Sequence, residues 1–277
     1  LKIVVLLKQT FDTEEKVEIT NGQIEEHGVK FVINPYDEYA LEEALRLKEA
    51  VGAEVIAVTV GPERSSVALR TALALGVDQA ILISEQENLD QSYYLAHLLV
   101  ESIRPIKPQL ILAGLFAIDS GSGSVALQVA ELLNIPHASA AVKLKTGTAE
   151  ELGLSGEVPW KEQLALVERD VEGDAEVVVL PLPALITAQQ GLNEPRYPSL
   201  PGIMKAKKKA ITERFPGDLL QHDDTKQRIA ASTTIRMDVT PPPPRQAGTL
   251  LQGSSEQQVK QLVGILQQLN IAGKEGI

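Results

Sequence analysis

The stretch QLILAGLFAIDSGSGSVALQVAELL, from Gln109 to Leu133, decides the reading of the fold. Its first residues, Gln109–Ala113, are almost all apolar, the signature of a short strand covered on both faces. From Ser122 to Leu133, Val125, Ala126, Val129, Ala130 and Leu133 fall on one side of a helix. Between them lies a loop of glycines and serines. Strand, small-residue turn and amphipathic helix in that order make the βα unit of a parallel sheet.

Working outward, the same unit recurs. Lys2–Leu7 is a near-continuous apolar run. Asp37–Val51 carries Ala40, Leu41, Ala44, Leu45 and Lys48 on one stripe, with Pro35 and Asp37 as start signals. Glu54–Val60 predicts a strand stopped by Gly61-Pro62, Ser65–Leu75 a helix ended by Gly76, and Gln79–Ile83 another strand. Gln91–Ile103 predicts a helix blocked by Pro105 and Pro108. The expected architecture is α/β: a doubly wound, mostly parallel sheet.

After residue 138 the rhythm changes. Ala138–Lys145, Gln163–Asp170 and Glu176–Leu182 are strand-like with no helix-length segment between them, which predicts antiparallel additions, and Ala184–Ala188 predicts one more strand. From residue 211 the chain turns polar. It passes through Pro241-Pro242-Pro243-Pro244, a stiff extended run, and ends in an expected helix over Ser255–Leu269, with Ser255 and Gln258 as a capping box. The division is therefore 1–210 as the α/β domain and 211–277 as an extended C-terminal arm. Val259, Leu262, Val263, Leu266 and Leu269 give that helix an apolar stripe, to be buried on its own domain or on another subunit.

The chain has 277 residues, 26 Lys plus Arg against 37 Asp plus Glu, and no cysteine. A net charge of −11 argues against nucleic acid as the main partner. Without cysteine there are no disulfides, thiolate nucleophiles or Cys-ligated metals. No apolar run reaches the ~18 residues of a membrane span, and the opening LKIVVLLKQT is too short and badly flanked for a signal peptide. The expectation is a soluble, cytoplasmic protein without membrane insertion.

Acid–base and nucleophilic machinery is not in evidence. His27, His97, His137 and His222 stand far apart with no metal-ligand spacing, and no serine sits in a nucleophile elbow. Three loops at strand ends point instead to a nucleotide, because such loops converge on one crevice in a wound sheet. The loop Gly114–Val125 offers small residues for close backbone approach, serine hydroxyls as donors, and a following helix N-terminus for a phosphate. Its Gly121–Ala126 string satisfies G-x-G-x-x-A, though too far beyond the strand for a dinucleotide fingerprint. Asn34-Pro35-Tyr36-Asp37 precedes the first helix; its Asn34 is either a base or ribose ligand or, like Asp37, a helix cap. The third loop is Thr59-Val60-Gly61-Pro62.

A different chemistry marks LNEPRYPSLPGIMKAKKK, residues 192–209. Three prolines stiffen a surface segment carrying Tyr197, Leu200, Ile203 and Met204, with four lysines beside it. A preorganised segment with an exposed apolar anchor loses little entropy on docking, and the lysines would steer an acidic partner.

With KIVVLLKQTFDT, NPYDEYALEEALRLKE, GPERSSVALRTALALGVDQAIL, GLFAIDSGSGSV, VERDVEGDAEVV, the NEPRY to IMKAKKK string and PPPPRQAG, most of the chain resembles the β (small) subunits of electron transfer flavoproteins. The resemblance implies that the wound sheet is of the flavodoxin-like, adenine-nucleotide-binding type, and that the protein is an electron carrier, not an enzyme in its own right. It works as a heterodimer with a large (α) subunit that holds most of the redox-active FAD, shuttling electrons from flavin-dependent dehydrogenases to a quinone oxidoreductase. It implies a structural AMP in this chain, contacted by Leu6, Asn34, Pro35, Tyr36, Asp37, Val60, Gly114, Ala117, Asp119, Ser120, Gly121, Ser122, Gly123, Ser124 and Val125. Thr13 matches a position that approaches the large subunit's flavin. Leu200 matches the anchor of the family's recognition loop, with Arg196, Tyr197, Ile203, Met204 and Lys205 around it, and the C-terminal arm contacts the large subunit.

The nucleotide loop departs from the family pattern. A second acid is replaced by Gly121, a glutamine by Ser124, and the proline of electron-bifurcating members by Leu127. AMP is preferred. The alternative is a second FAD in the same site, within a bifurcating complex that uses NADH. A further alternative is a stand-alone adenine-nucleotide-binding signalling protein.

Overall fold

The computed structural model describes all residues except 21, 88, 155, 161, 233–238, 242, 244–246 and 270–277. In chain order the elements begin with β1 (Lys2–Leu6), β2 (Gln9–Phe11), β3 (Ile19–Thr20), β4 (Gln23–Ile24), β5 (Phe31–Ile33), α1 (Pro35–Val51) and β6 (Glu54–Gly61). Next come α2 (Ser66–Leu75), β7 (Gln79–Ser84), α3 (Ser92–Ile103), β8 (Leu110–Gly114) and α4 (Ser124–Leu133). The remainder is β9 (His137–Gly147), β10 (Leu164–Val171), β11 (Asp174–Pro181), β12 (Ala184–Ala188), α5 (Leu200–Ala206), β13 (Thr212–Arg214), α6 (Pro216–Leu219), α7 (Asp223–Ala231) and α8 (Ser255–Gln268).

One nine-stranded sheet runs β11-β10-β9-β12-β8-β1-β6-β7-β13. Every pairing from β9 across to β13 is parallel, whereas β10 is antiparallel to β9 and β11. The expected α/β architecture, parallel centre and antiparallel extension are all present. The parallel strands run β7-β6-β1-β8, however, so the first strand lies between the second and the fourth long parallel strands and not between the second and third as in a flavodoxin-like sheet. In β1 the alternation is plain: Ile3 and Val5 face the core with α1 and α2, while Val4 and Leu6 face the core with α3 and α4. Both faces are covered, so the strand needs no polar positions.

Several local readings are corrected. α4 starts at Ser124 rather than Ser122, because Ala117 and Ser122 bridge across a turn with Gly121 at φ 65°. The segment expected as a proline-braced loop is helical over Leu200–Ala206: Pro201 sits in its first turn, and the Ser199 side chain accepts the Gly202 amide. Thr212–Arg214, expected in the arm, pairs with Ile81–Ile83 at the sheet edge, and Asp223–Ala231 is helical. The first compact unit accordingly runs through Val239, and the second is Thr240–Ile277.

In the second unit the capping box is Ser254 with Gln257, one residue before the expected pair. Both serines are followed three residues later by glutamine, so spacing alone does not choose between them. Val259, Leu262, Ile265 and Leu269 of α8 and its flank are exposed. Part of the polyproline run, 242 and 244, lies outside the described residues.

Candidate functional site

At the carboxyl ends of β1 and β8, side chains from α1 stitch three loops together. Asp37, buried in the first turn of α1, accepts the Gly114 amide on Oδ1 at 3.0 Å and the Lys8 amide on Oδ2 at 2.6 Å. Asn34, equally buried, donates from Nδ2 to Asp37 Oδ1 at 3.1 Å and to the Phe116 carbonyl at 2.9 Å. Its Oδ1 accepts the Ile118 amide at 3.1 Å. Neither side chain caps α1. Both hold the loop after β8 in place, a use the sequence did not reveal, since the partners lie some eighty residues away.

Burial pushes the Asp37 carboxyl up to about 7, against the pull of the Asn34, Lys8 and Gly114 donors and the Lys8 charge. Lys8 turns its ammonium to Asp119, Nζ to Oδ1 2.7 Å, which ties the end of β1 to the glycine-serine turn. The rings of Tyr36 and Phe116 lie 4.3 Å apart between centroids and close the flank of the loop.

Two glycines of this loop, Gly114 and Gly123, are required by contact. A Cβ on Gly114 would lie 2.3 Å from Asp37 Oδ1 and 2.7 Å from the backbone of Asp37 and Tyr36, and one on Gly123 would lie 2.7 Å from the Leu115 carbonyl oxygen. Gly123 precedes α4 and supplies no side-chain cap, so the first turn of α4 opens with backbone N–H groups that no capping side chain takes up. The hydroxyls of Ser122 and Ser124 sit 3.2 Å apart beside it. That donor set suits a dianionic phosphate: uncapped amides, the positive end of a helix dipole and two hydroxyls.

Ala117, Ile118, Asp119, Ser120 and Gly121 complete the turn. Leu6 is buried at the end of β1, and Val60 is half-buried at the end of β6, where the Thr59 hydroxyl donates to the Leu7 carbonyl at 2.9 Å. Pro35 occupies the first turn of α1. Thr13 is exposed in the loop after β2 and makes none of these contacts.

The lysine-rich segment is elsewhere. α5 packs on α2, and its Ala206 joins the core shared by α1 and α2, whereas α4 lies on the other face of the sheet. Tyr197 is 92% exposed, Leu200 74% and Met204 57%; Ile203 is less open. Lys205, Lys207 and Lys208 are exposed, but Lys209 donates to the Val77 carbonyl at 2.7 Å. Arg196, expected among the docking groups, is turned inward onto Glu42 and Glu49 of α1.

A family model described as an electron transfer flavoprotein domain matches residues 21–218. The chain belongs to this family. It is 47% identical over 270 residues to the electron transfer flavoprotein subunit beta of Bacillus subtilis, covering 96% of this chain and 97% of the relative. The subunit beta of Syntrophomonas wolfei is 36% identical over 260 residues, with 92% of each chain covered. The mitochondrial subunit beta of Arabidopsis thaliana is 36% identical over 259 residues, covering 92% of this chain and 95% of the relative. Membership gives this electron transfer flavoprotein chain a role in carrying electrons. No helix among the described residues is long and apolar enough to cross a membrane.

Proposed function

We propose that this chain is the β subunit of a heterodimeric electron transfer flavoprotein. It holds AMP at the N-terminus of α4, pairs with a large subunit that carries FAD, and meets flavin-dependent dehydrogenases through the α5 face. Electrons then pass towards a quinone oxidoreductase. The observation that carries the nucleotide reading is the start of α4: an uncapped first turn behind Gly123, flanked by the Ser122 and Ser124 hydroxyls.

Each residue has a role that needs no proton transfer. Gly114 and Gly123 let the backbone approach closely. Asn34 and Asp37 fix the loop from within, so the amides of Ser124 and its successors are aimed before the ligand arrives, and little ordering entropy is lost on binding. Lys8 neutralises Asp119, which would otherwise repel a phosphate. The flavin, when bound, supplies the redox chemistry, and the protein supplies position and electrostatics. This accounts for the lack of an acid–base pair at the site. The exposed lysines and apolar side chains of α5 suit a partner with an acidic rim around an apolar pocket.

The test is stoichiometry. Coexpressed with its large subunit and purified gently, the chain should yield one FAD and one AMP per pair after acid release. Two FADs and no AMP would replace the AMP assignment with the bifurcating alternative. An isolated chain that is stable, monomeric and loaded with nucleotide would favour the stand-alone signalling protein.

A further inference from the structure

The α5 helix has seven residues, too few to hold itself together in water. Its shape and the direction of its apolar side chains must come from its anchors. At the leading end, the chain from Asn193 to Arg196 is laid along α1. Asn193 Nδ2 donates to the Tyr39 carbonyl and to Glu43 Oε2, both at 3.0 Å. The Arg196 guanidinium then grips two carboxylates at once: Nε to Glu42 Oε2 at 2.8 Å, Nη2 to Glu42 Oε1 at 2.9 Å and to Glu49 Oε2 at 3.1 Å, with Nη1 on Glu49 Oε1. The Arg196 backbone amide adds a bond to Glu42 Oε2 at 3.2 Å. Glu42 is only 6% exposed, so its charge depends on this fork for compensation.

At the trailing end, Arg70 Nη1 donates to the Ala206 carbonyl at 2.7 Å and also to the Lys209 carbonyl. Gly202 lies so close to α2 that a Cβ would meet the Ala74 carbonyl oxygen at 2.3 Å. Tyr197 follows Arg196 directly, and Leu200 opens the helix three residues later.

We propose that Arg196 is a positioning residue: its clamp on Glu42 and Glu49 fixes where the Tyr197, Leu200 and Met204 surface projects, and so sets the affinity for the redox partner without touching it. This rests on the docking role given to α5 above. Glu42 and Glu49 stand seven positions apart on one helix, and only a planar, five-donor group satisfies both carboxylates from one side. Lysine retains the charge but cannot form the fork.

The experiment uses the complete two-subunit protein with Arg196→Lys, Arg196→Ala and Glu49→Gln, and Leu200→Ala alongside. Two quantities are read: hydrogen exchange at the Ile203 and Lys207 amides, which bond to Ser199 and Ile203 within α5, and steady-state transfer from a purified flavin-dependent dehydrogenase. The clamp variants should speed exchange at these amides about tenfold and raise the KM for the flavoprotein by about the same factor, with kcat within about twofold. Arg196→Lys should behave like Arg196→Ala rather than like wild type. Should Arg196→Ala fail to assemble, Glu49→Gln carries the test, because Glu49 is an exposed partner. Unchanged exchange overturns the clamp. Faster exchange with an unchanged KM overturns the positioning role if Leu200→Ala does raise KM. If Leu200→Ala leaves KM unchanged too, the docking role of α5 is what fails.

Discussion

Asp37 Oδ1 accepts the Gly114 amide at 3.0 Å, joining the first turn of α1 to the last residue of β8 across seventy-seven positions of sequence. The bond is short-range only because position 114 has no side chain. Gly114→Ala would place a methyl group inside the Asp37 carboxylate and against the α1 backbone. The expected loss is about 1–3 kcal/mol or more of stability, read as a lower urea midpoint, together with weaker nucleotide retention. A variant as stable as wild type would mean that the contact is slack.

The buried Asp37 carboxyl sets a pH dependence of known sign. Its value in the fold is about 7, above its ordinary value of 3.8. Between these limits the folded state holds the proton and the unfolded chain does not. Its contribution therefore declines as pH rises from about 4 to about 7, then levels off. Measured as the unfolding free energy of wild type minus that of Asp37→Asn, the difference should fall by about 1 kcal/mol per pH unit between pH 5 and 7. A difference that stays flat over this range would show Asp37 to be ionised in the fold.

The core of this fold was legible because the decisive strands are covered on both faces. Runs such as Lys2–Leu6 and Leu110–Gly114 carry no polar alternation and admit few other readings. Thr212–Arg214 was not legible: it is short, polar and paired on one side, so neither periodicity nor propensity marks it. The loop Gly114–Val125 was visible in its glycines and serines; Gly121, at φ 65°, and Gly123, against the Leu115 carbonyl, are needed for reasons local to the turn. The inward roles of Asn34 and Asp37, and the grip of Arg196 on Glu42, were not. Each joins residues 77 to 154 positions apart, and no local pattern encodes such a pair. The same side chains were expected to contact ligand or partner, since a polar group beside a loop looks alike from sequence whether it points out or in.

Leu200, 74% exposed at the start of α5, tests the docking surface. Leu200→Ala removes apolar area that is already in water, so folding stability should change by less than about 0.5 kcal/mol. Transfer from a partner dehydrogenase should fall at least tenfold, an expectation for a central apolar anchor, with nucleotide content unchanged. Wild-type transfer rates would remove Leu200 from the interface.

The lysines of the same segment predict a salt effect. Lys205, Lys207 and Lys208 are exposed and should act through long-range attraction. Association with an acidic partner should slow steeply from about 0.01 M to about 0.15 M salt, as the screening length shrinks from about 30 to about 8 Å. Changing all three to glutamine should flatten that dependence. A salt slope that survives the triple change would place the steering charges elsewhere.

The central claim is an adenylate seated at the start of α4, and Gly123 tests it most directly. A side chain there meets the Leu115 carbonyl oxygen at 2.7 Å and must displace the turn that presents the α4 amides. Mass analysis of the nucleotide released from the two-subunit protein should find AMP with the wild-type chain. With Gly123→Val it should find AMP lost and the FAD of the large subunit retained. AMP missing from wild type, or held undiminished by Gly123→Val, would contradict the account.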